Sequence, residues 1–147
     1  MFFMNEILVG TTQTKEFAKR FLPTLLPSKN KATIVGLCGD LGSGKTTLVK
    51  YLAKEIGITD EVVSPTFILA KYYELSGAKW KRMIHIDAYR LDDEDEIGVL
   101  KWEDIIADSR NLILFEWPER IGTKFPADAT LLHLTFINED TRNISLA

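Results

Sequence analysis

Cysteine is almost missing from this chain. With Cys38 the one thiol in 147 residues, neither an internal disulfide nor a cysteine metal cluster can form. Long apolar runs are missing too, since nothing approaches the ~20 consecutive residues of a membrane span. The opening Met1-Phe2-Phe3-Met4 is cut short by Asn5 and Glu6, well before the length of a signal-peptide core. Positive charge is in deficit, with 18 Lys and Arg against 21 Asp and Glu. A net charge of −3 gives no global field to draw nucleic acid, so an RNA contact calls for a local patch or a basic partner. There is no internal repeat, low-complexity tract or Gly/Ser linker, and the nine glycines and five prolines punctuate periodic segments. What is present is an ordinary globular balance, 46% hydrophobic and 27% charged. A chain of this length buries roughly 68–70% of its unfolded surface. The expectation is one cytoplasmic domain over residues 1–147.

The periodic segments alternate between helix and strand. Thr11 to Leu22 reads as an amphipathic helix, with threonines available to cap it, Phe17, Phe21 and Leu25 at helical spacing, and Pro23 and Pro27 closing it. Thr33 to Cys38 is a short apolar run expected to be a buried strand. Gly44 to Ile56 reads as a helix with Leu48, Leu52 and Ile56 on one face and Gly57 as its stop. Ile68–Leu75 and Lys81–Tyr89 flank Ser76-Gly77-Ala78-Lys79 and predict an antiparallel hairpin. Asp92 to Ile106 predicts a helix with acidic residues at its positive end. Asn111 to Glu116 predicts a second buried strand, and Thr130 to Ile137 a peripheral one. The alternation implies an α/β fold with a mostly parallel central sheet and an antiparallel element.

The strongest chemical signal is Gly39-Asp40-Leu41-Gly42-Ser43-Gly44-Lys45-Thr46, which fits the phosphate-binding pattern G-x-x-x-x-G-K-[ST]. Its glycines let successive backbone N–H groups converge on phosphate oxygens with no Cβ in the way. Lys45 supplies a mobile charge, the Thr46 hydroxyl a Mg²⁺ ligand, and the following helix the partial positive charge of its N-terminus. The bare pattern arises by chance on the order of once in 200 chains of this length. The apolar strand before it and the amphipathic helix after it make nucleotide binding a much better reading than a Gly-rich turn.

A P-loop needs a further carboxylate for the metal and a means of placing the attacking water. Asp87 closes the run Met83–Ile86, and Glu116 closes Leu112–Phe115. In an open α/β sheet the groups beyond the carboxyl ends of strands gather in the ligand crevice. Either acid alone is a common accident, whereas both in a chain with a P-loop favour function. Ser64-Pro65-Thr66-Phe67 places hydroxyls where a switch segment would reach a γ-phosphate or its metal.

Taken in order, Gly39–Thr47, Ser64-Pro65-Thr66-Phe67, His85-Ile86-Asp87-Ala88-Tyr89-Arg90-Leu91 and Glu116-Trp117-Pro118-Glu119 resemble the TsaE family, the small ATPase of bacterial tRNA threonylcarbamoyladenosine synthesis. The resemblance runs from about Thr14 to about Arg142. It implies a P-loop NTPase-like three-layer sandwich that binds ATP and Mg²⁺ and hydrolyses ATP slowly. It also implies work in a complex with the TsaB and TsaD proteins on adenosine 37 of tRNA, with the tRNA reached through those partners. Carried over by motif, Asp40, Leu41, Gly42, Ser43, Gly44, Lys45, Thr46, Thr47 and Trp117 would bind the nucleotide. Thr46 and Glu116 would hold Mg²⁺; Asp87, Lys45 and Thr66 would serve catalysis. Tyr89 and Arg90 would lie near the active face, and the Thr11–Thr14 cluster and the region of Arg142 near the adenine. Ser43 stands where many relatives carry Ala, and Lys101 where they often carry Gly, which bears on the local turn.

Other functions compete with this one. A small-molecule or nucleotide kinase needs an acceptor site and an Arg-bearing lid, for which the insertions are short. A GTPase-like switch would carry Asn-Lys-x-Asp and Asp-x-x-Gly, and neither occurs where needed. A nucleotide-gated scaffold with incidental hydrolysis stays open. Of the residues left over, His85 shares a strand face with Asp87 and reads as structural or as a partner contact. Cys38 reads as a small packed residue, and Asp92–Glu96 as a solvated helix start or a contact for a basic surface. Of Trp80, Trp102 and Trp117, only the last is expected to report on nucleotide.

Overall fold

The computed structural model describes residues 5–65 and 69–146. Seven strands form one sheet: β1 (Asn5–Val9), β2 (Thr33–Cys38), β3 (Ala70–Glu74), β4 (Arg82–Asp87), β5 (Asn111–Glu116), β6 (Thr130–Asn138) and β7 (Thr141–Leu146). Their order is β1-β7-β6-β2-β5-β4-β3. The middle four, β6-β2-β5-β4, are parallel neighbours, while β3 and β7 run against them as the return strands of hairpins. Every residue of β5 is buried, as an apolar run in a parallel strand covered on both faces should be.

Helices α1 (Gly10–Phe21) and α2 (Lys45–Ile56) cover one face. Phe17, Phe21, Leu48 and Leu52 pack there on Val35, Leu37, Met83, Leu112 and Leu114. On the other face Ile34, Ile84, Ile86, Ile113 and Phe115 meet Ile97, Trp102, Ile105 and Ile121. β2, β4 and β5 therefore bury odd and even residues in different cores. The result is the expected three-layer sandwich.

Several expectations need correction. α1 is not capped by threonine: Val9 is its N-cap, and the Gln13 side chain accepts from the Val9 N–H at 2.7 Å. The helix expected over Asp92–Ile106 is two pieces. A 3₁₀ segment, Glu94–Leu100, gives way to the short α3 (Trp102–Ile106) at Lys101, whose φ of 55° is left-handed. In a straight α-helix Ile97 and Trp102 would point roughly 140° apart. Both are buried against the same sheet face, and the reversal at Lys101 aligns them. A left-handed lysine costs about 1–2 kcal/mol relative to an ordinary conformation. The acidic run is internally satisfied, since Glu96 Oε1 accepts from the Asp93 N–H at 2.9 Å and Asp93 Oδ1 from the Asp95 N–H at 2.8 Å. Strands β1 and β7 and the 3₁₀ segment Pro118–Lys124 had no counterpart in the sequence reading. Among the described residues no helix is long and apolar enough to cross a membrane.

Candidate functional site

β2 ends where α2 begins, and the glycine-rich loop spans the gap. Gly44 is the N-cap of α2 with φ 101°, a conformation that side chains rarely adopt. Gly39 is required by space: a Cβ there would stand 2.4 Å from the Leu134 carbonyl oxygen and 2.5 Å from Ser43 Oγ. The loop thus packs tightly against β6, and the Ser43 N–H donates to the Asp40 carbonyl at 3.1 Å within it. Lys45 is 5% exposed and folds back over the loop, donating to the Gly39 carbonyl at 2.5 Å, the Asp40 carbonyl at 2.9 Å and Ser43 Oγ at 3.3 Å. Its ammonium also lies 4.4 Å from the centre of the Trp117 ring. Burial pushes Lys45 below the usual lysine range, opposed by the charges of Glu116, Asp87, Glu119 and Asp40.

Beside the loop, register sets the two carboxylates. Asp87 pairs with Glu116 across β4 and β5, and Glu116 with Leu37 across β5 and β2. Three adjacent parallel strands thus end together. The Trp117 N–H donates to the Leu37 carbonyl at 3.2 Å and the Ala88 N–H to the Glu116 carbonyl at 3.1 Å, tying those ends. Thr46 Oγ1 lies 3.0 Å from each oxygen of the Glu116 carboxylate, and His85 Nε2 is 2.6 Å from Glu116 Oε2. Asp87 accepts from Ser64 Oγ at 3.1 Å and from the Tyr89 N–H at 3.0 Å. Trp117 holds a left-handed φ of 64°, and its ring lies 4.9 Å from that of Tyr89, with the Arg120 guanidinium 5.2 Å from the Tyr89 ring. Strained backbone of this kind persists where its surroundings over-determine it.

These groups line a cavity of about 530 Å³, with Leu41, Gly42, Gly44, Lys45, Thr46, Thr47, Asp87, Glu116 and Trp117 on its wall, joined by Ser64, Tyr89, Arg90 and Arg142. Asp40 and Ser43 do not line it, and the Asp40 carbonyl and Ser43 hydroxyl accept from Lys45. Thr66 lies outside the described residues. A second cavity of about 360 Å³ shares Gly44, Thr47 and Arg142 with the first and is bounded by Leu8, Thr11, Thr14, Leu48 and Ile144. The two are sized for a triphosphate and a base. Arg142 sits at their junction, its Nη1 held by the Asn138 and Thr141 carbonyls at 2.5 and 3.0 Å.

The residues present fit Mg²⁺ and a nucleoside triphosphate. Among the described residues no three His, Cys, Asp or Glu side chains gather into a metal cage. Mg²⁺ needs none, since it takes one or two protein oxygens, phosphates and water. Thr46 and Glu116 offer hard oxygens beside the amide nest, and Asp87 stands opposite.

Of the two readings given to His85, structural or partner contact, the structure favours the structural one. Fully buried against Glu116, it has no surface with which to meet a partner. Its i, i+2 spacing from Asp87 gave the strand face but not the contact with Glu116, which depends on the register of β4 on β5. Arg120, three residues past Trp117, carried no signal.

Three comparisons bear on this site. The family model described as "Threonylcarbamoyl adenosine biosynthesis protein TsaE" matches residues 9–144. Curated relatives of that name include one from Haemophilus influenzae, 36% identical over 131 residues (88% of this chain, 80% of the relative). Another, from Rickettsia prowazekii, is 38% identical over 135 residues (91% and 88%). Among solved structures, Bacillus subtilis YdiB superposes with a TM-score of 0.69 at 26% identity, over 97% of this chain and 83% of that one. With sequence, fold and the arrangement of strand ends in agreement, the chain belongs to the TsaE family.

Proposed function

We propose that this protein is the ATPase of tRNA N6-threonylcarbamoyladenosine synthesis, binding ATP with Mg²⁺, hydrolysing it slowly and acting in the cytoplasm with TsaB and TsaD. The observation that supports this most strongly is the convergence of the glycine-rich loop, Lys45, Thr46, Glu116 and Asp87 at the ends of three adjacent strands. On binding, Lys45 exchanges its contacts with the loop carbonyls for phosphate oxygens. Thr46 and Glu116 would hold the metal, which would supply neutralisation of the charge on the phosphates. Asp87, fixed on both oxygens by Ser64 and the Tyr89 amide, orients the attacking water. Trp117 and Arg142 bracket the nucleotide, and the second cavity takes the adenine.

Among the described residues, the cavity that adjoins Asp87 past Arg90 and Val99 is open to solvent, where Val99 is 78% exposed. That favours water as the acceptor and a partner protein as the surface that completes the site. The net charge of −3 leaves RNA affinity to the partners. Phosphate release from ATP, with and without TsaB and TsaD, tests the reading. The expected result is slow turnover alone, faster turnover in the complex, and loss of both in Lys45→Ala. Stimulation by a small hydroxylated acceptor instead would make it a kinase. Intact tRNA modification in a Glu116→Ala variant devoid of hydrolysis would make it a nucleotide-gated scaffold.

A further inference from the structure

Among the described residues, His85 is a buried ionisable side chain next to the strand ends that the proposed reaction does not use. It is wholly inaccessible, in the middle of β4, between Ile84 and Ile86. Register places it opposite Leu114, two residues before Glu116 on the same face of β5, so its ring reaches diagonally to the carboxylate. The 2.6 Å contact of Nε2 with Glu116 Oε2 is short, and Nδ1 is buried with no partner among the described residues.

That asymmetry settles which nitrogen carries hydrogen. A hydrogen on Nδ1 would be buried without an acceptor, whereas one on Nε2 points at a carboxylate that only accepts. Glu116 therefore receives two donors, Nε2–H from His85 below and the Thr46 hydroxyl from α2. Among the described residues no other hydrogen bond restrains the end of its side chain. Take away the imidazole and the carboxylate is free to turn about its last torsion, off the direction in which it faces the cavity.

We propose that His85 is a positioning residue: through Nε2–H it fixes Glu116 in the orientation that receives Mg²⁺, and so sets the metal affinity of the nucleotide complex. This rests on the Mg²⁺–ATP reading above. The test uses the full chain with two substitutions. In His85→Gln the amide nitrogen takes the place of Nε2 and keeps a donor; in His85→Leu the volume remains and the donor goes. ATP binding is titrated at a series of Mg²⁺ concentrations and again in EDTA. Loss of a group that supports a metal ligand lowers metal affinity by about 10–100-fold. His85→Leu should raise the Mg²⁺ needed for half-saturation by that factor with the EDTA affinity unchanged, and His85→Gln should restore most of it. An independent readout is ¹⁵N NMR of histidine-labelled protein, with His133→Gln assigning the only other ring; hydrogen is expected on Nε2 and none on Nδ1. A wild-type Mg²⁺ requirement in His85→Leu, or a ring with no hydrogen on Nε2, overturns the proposal and leaves the nucleotide reading standing. Failure of the wild-type chain to bind ATP at any Mg²⁺ concentration, with the NMR result as expected, overturns both. Should His85→Leu not fold, the Gln variant and the NMR signature decide.

Discussion

Two glycines of the loop separate steric from conformational necessity, and alanine at each should have very different costs. At Gly42, φ is +79° and the space around a Cβ is open, so Gly42→Ala meets only the left-handed penalty. That is about 1–2 kcal/mol, offset by roughly 0.4–1 kcal/mol from the stiffer unfolded chain, for a net of about 0.5–1 kcal/mol. At Gly39, φ is +149° and the new methyl would stand 2.4 Å from a backbone oxygen of β6, which cannot step aside as a flexible side chain would. Overpacking adds about 1–3 kcal/mol and the strained backbone a similar amount, for a net of about 2–5 kcal/mol. In a domain of this size the two variants should melt about 1–4 °C and about 5–15 °C below the wild type. Urea unfolding followed by circular dichroism measures both. Equal losses in the two variants would refute the packing of the loop on β6, and with it the shape given to the phosphate cradle.

Other expectations follow from the same geometry. Burial, with Glu119 adding, pushes the Cys38 thiol up to about 11 from 9.0. Its thiolate is then about 100-fold scarcer at pH 8, and alkylation by iodoacetamide should be slower by that factor than for an ordinary thiol; reaction at the ordinary rate contradicts the burial. Lys45 is held below the 10.5 of an ordinary lysine by burial, and phosphate oxygens favour its charged form. Nucleotide binding should therefore take up protons, with affinity full below the depressed value and lost as pH rises through it. Calorimetry in buffers of different ionisation heat reads that uptake, and an unchanged uptake in Lys45→Arg would assign it elsewhere. Trp117 lies 4.4 Å from the Lys45 ammonium, whereas Trp80 and Trp102 are buried with their indole N–H groups on Thr33 and Lys124. ATP should change tryptophan emission, and Trp117→Phe should abolish the change; a change that survives places the nucleotide elsewhere.

What the sequence discloses follows from how much each segment buries. β2 and β5 are buried nearly throughout, so their apolar runs are unmistakable, and the loop between β2 and α2 announces itself by residue type. β1 and β7 bury one residue each, Leu8 and Ile144, too little to leave a period. The segment from Asp92 to Ile106 has helical spacing and helix-favouring acids, but Lys101 reverses there to aim Trp102 at Phe115, 5.3 Å away, a tertiary demand with no local signature. The candidate site was legible in its parts, since Lys45, Thr46, Asp87, Glu116 and Trp117 meet at one cavity. The imidazole behind Glu116 was not, because a diagonal contact between neighbouring strands depends on register, which spacing along one strand does not contain.

The most direct test of the central idea is calorimetric titration of the full chain with ATP in the presence of Mg²⁺, beside the Lys45→Ala variant. One saturable site in the wild type and none in the variant is the predicted result. Equal binding by both, or no heat from either at millimolar nucleotide, would contradict it.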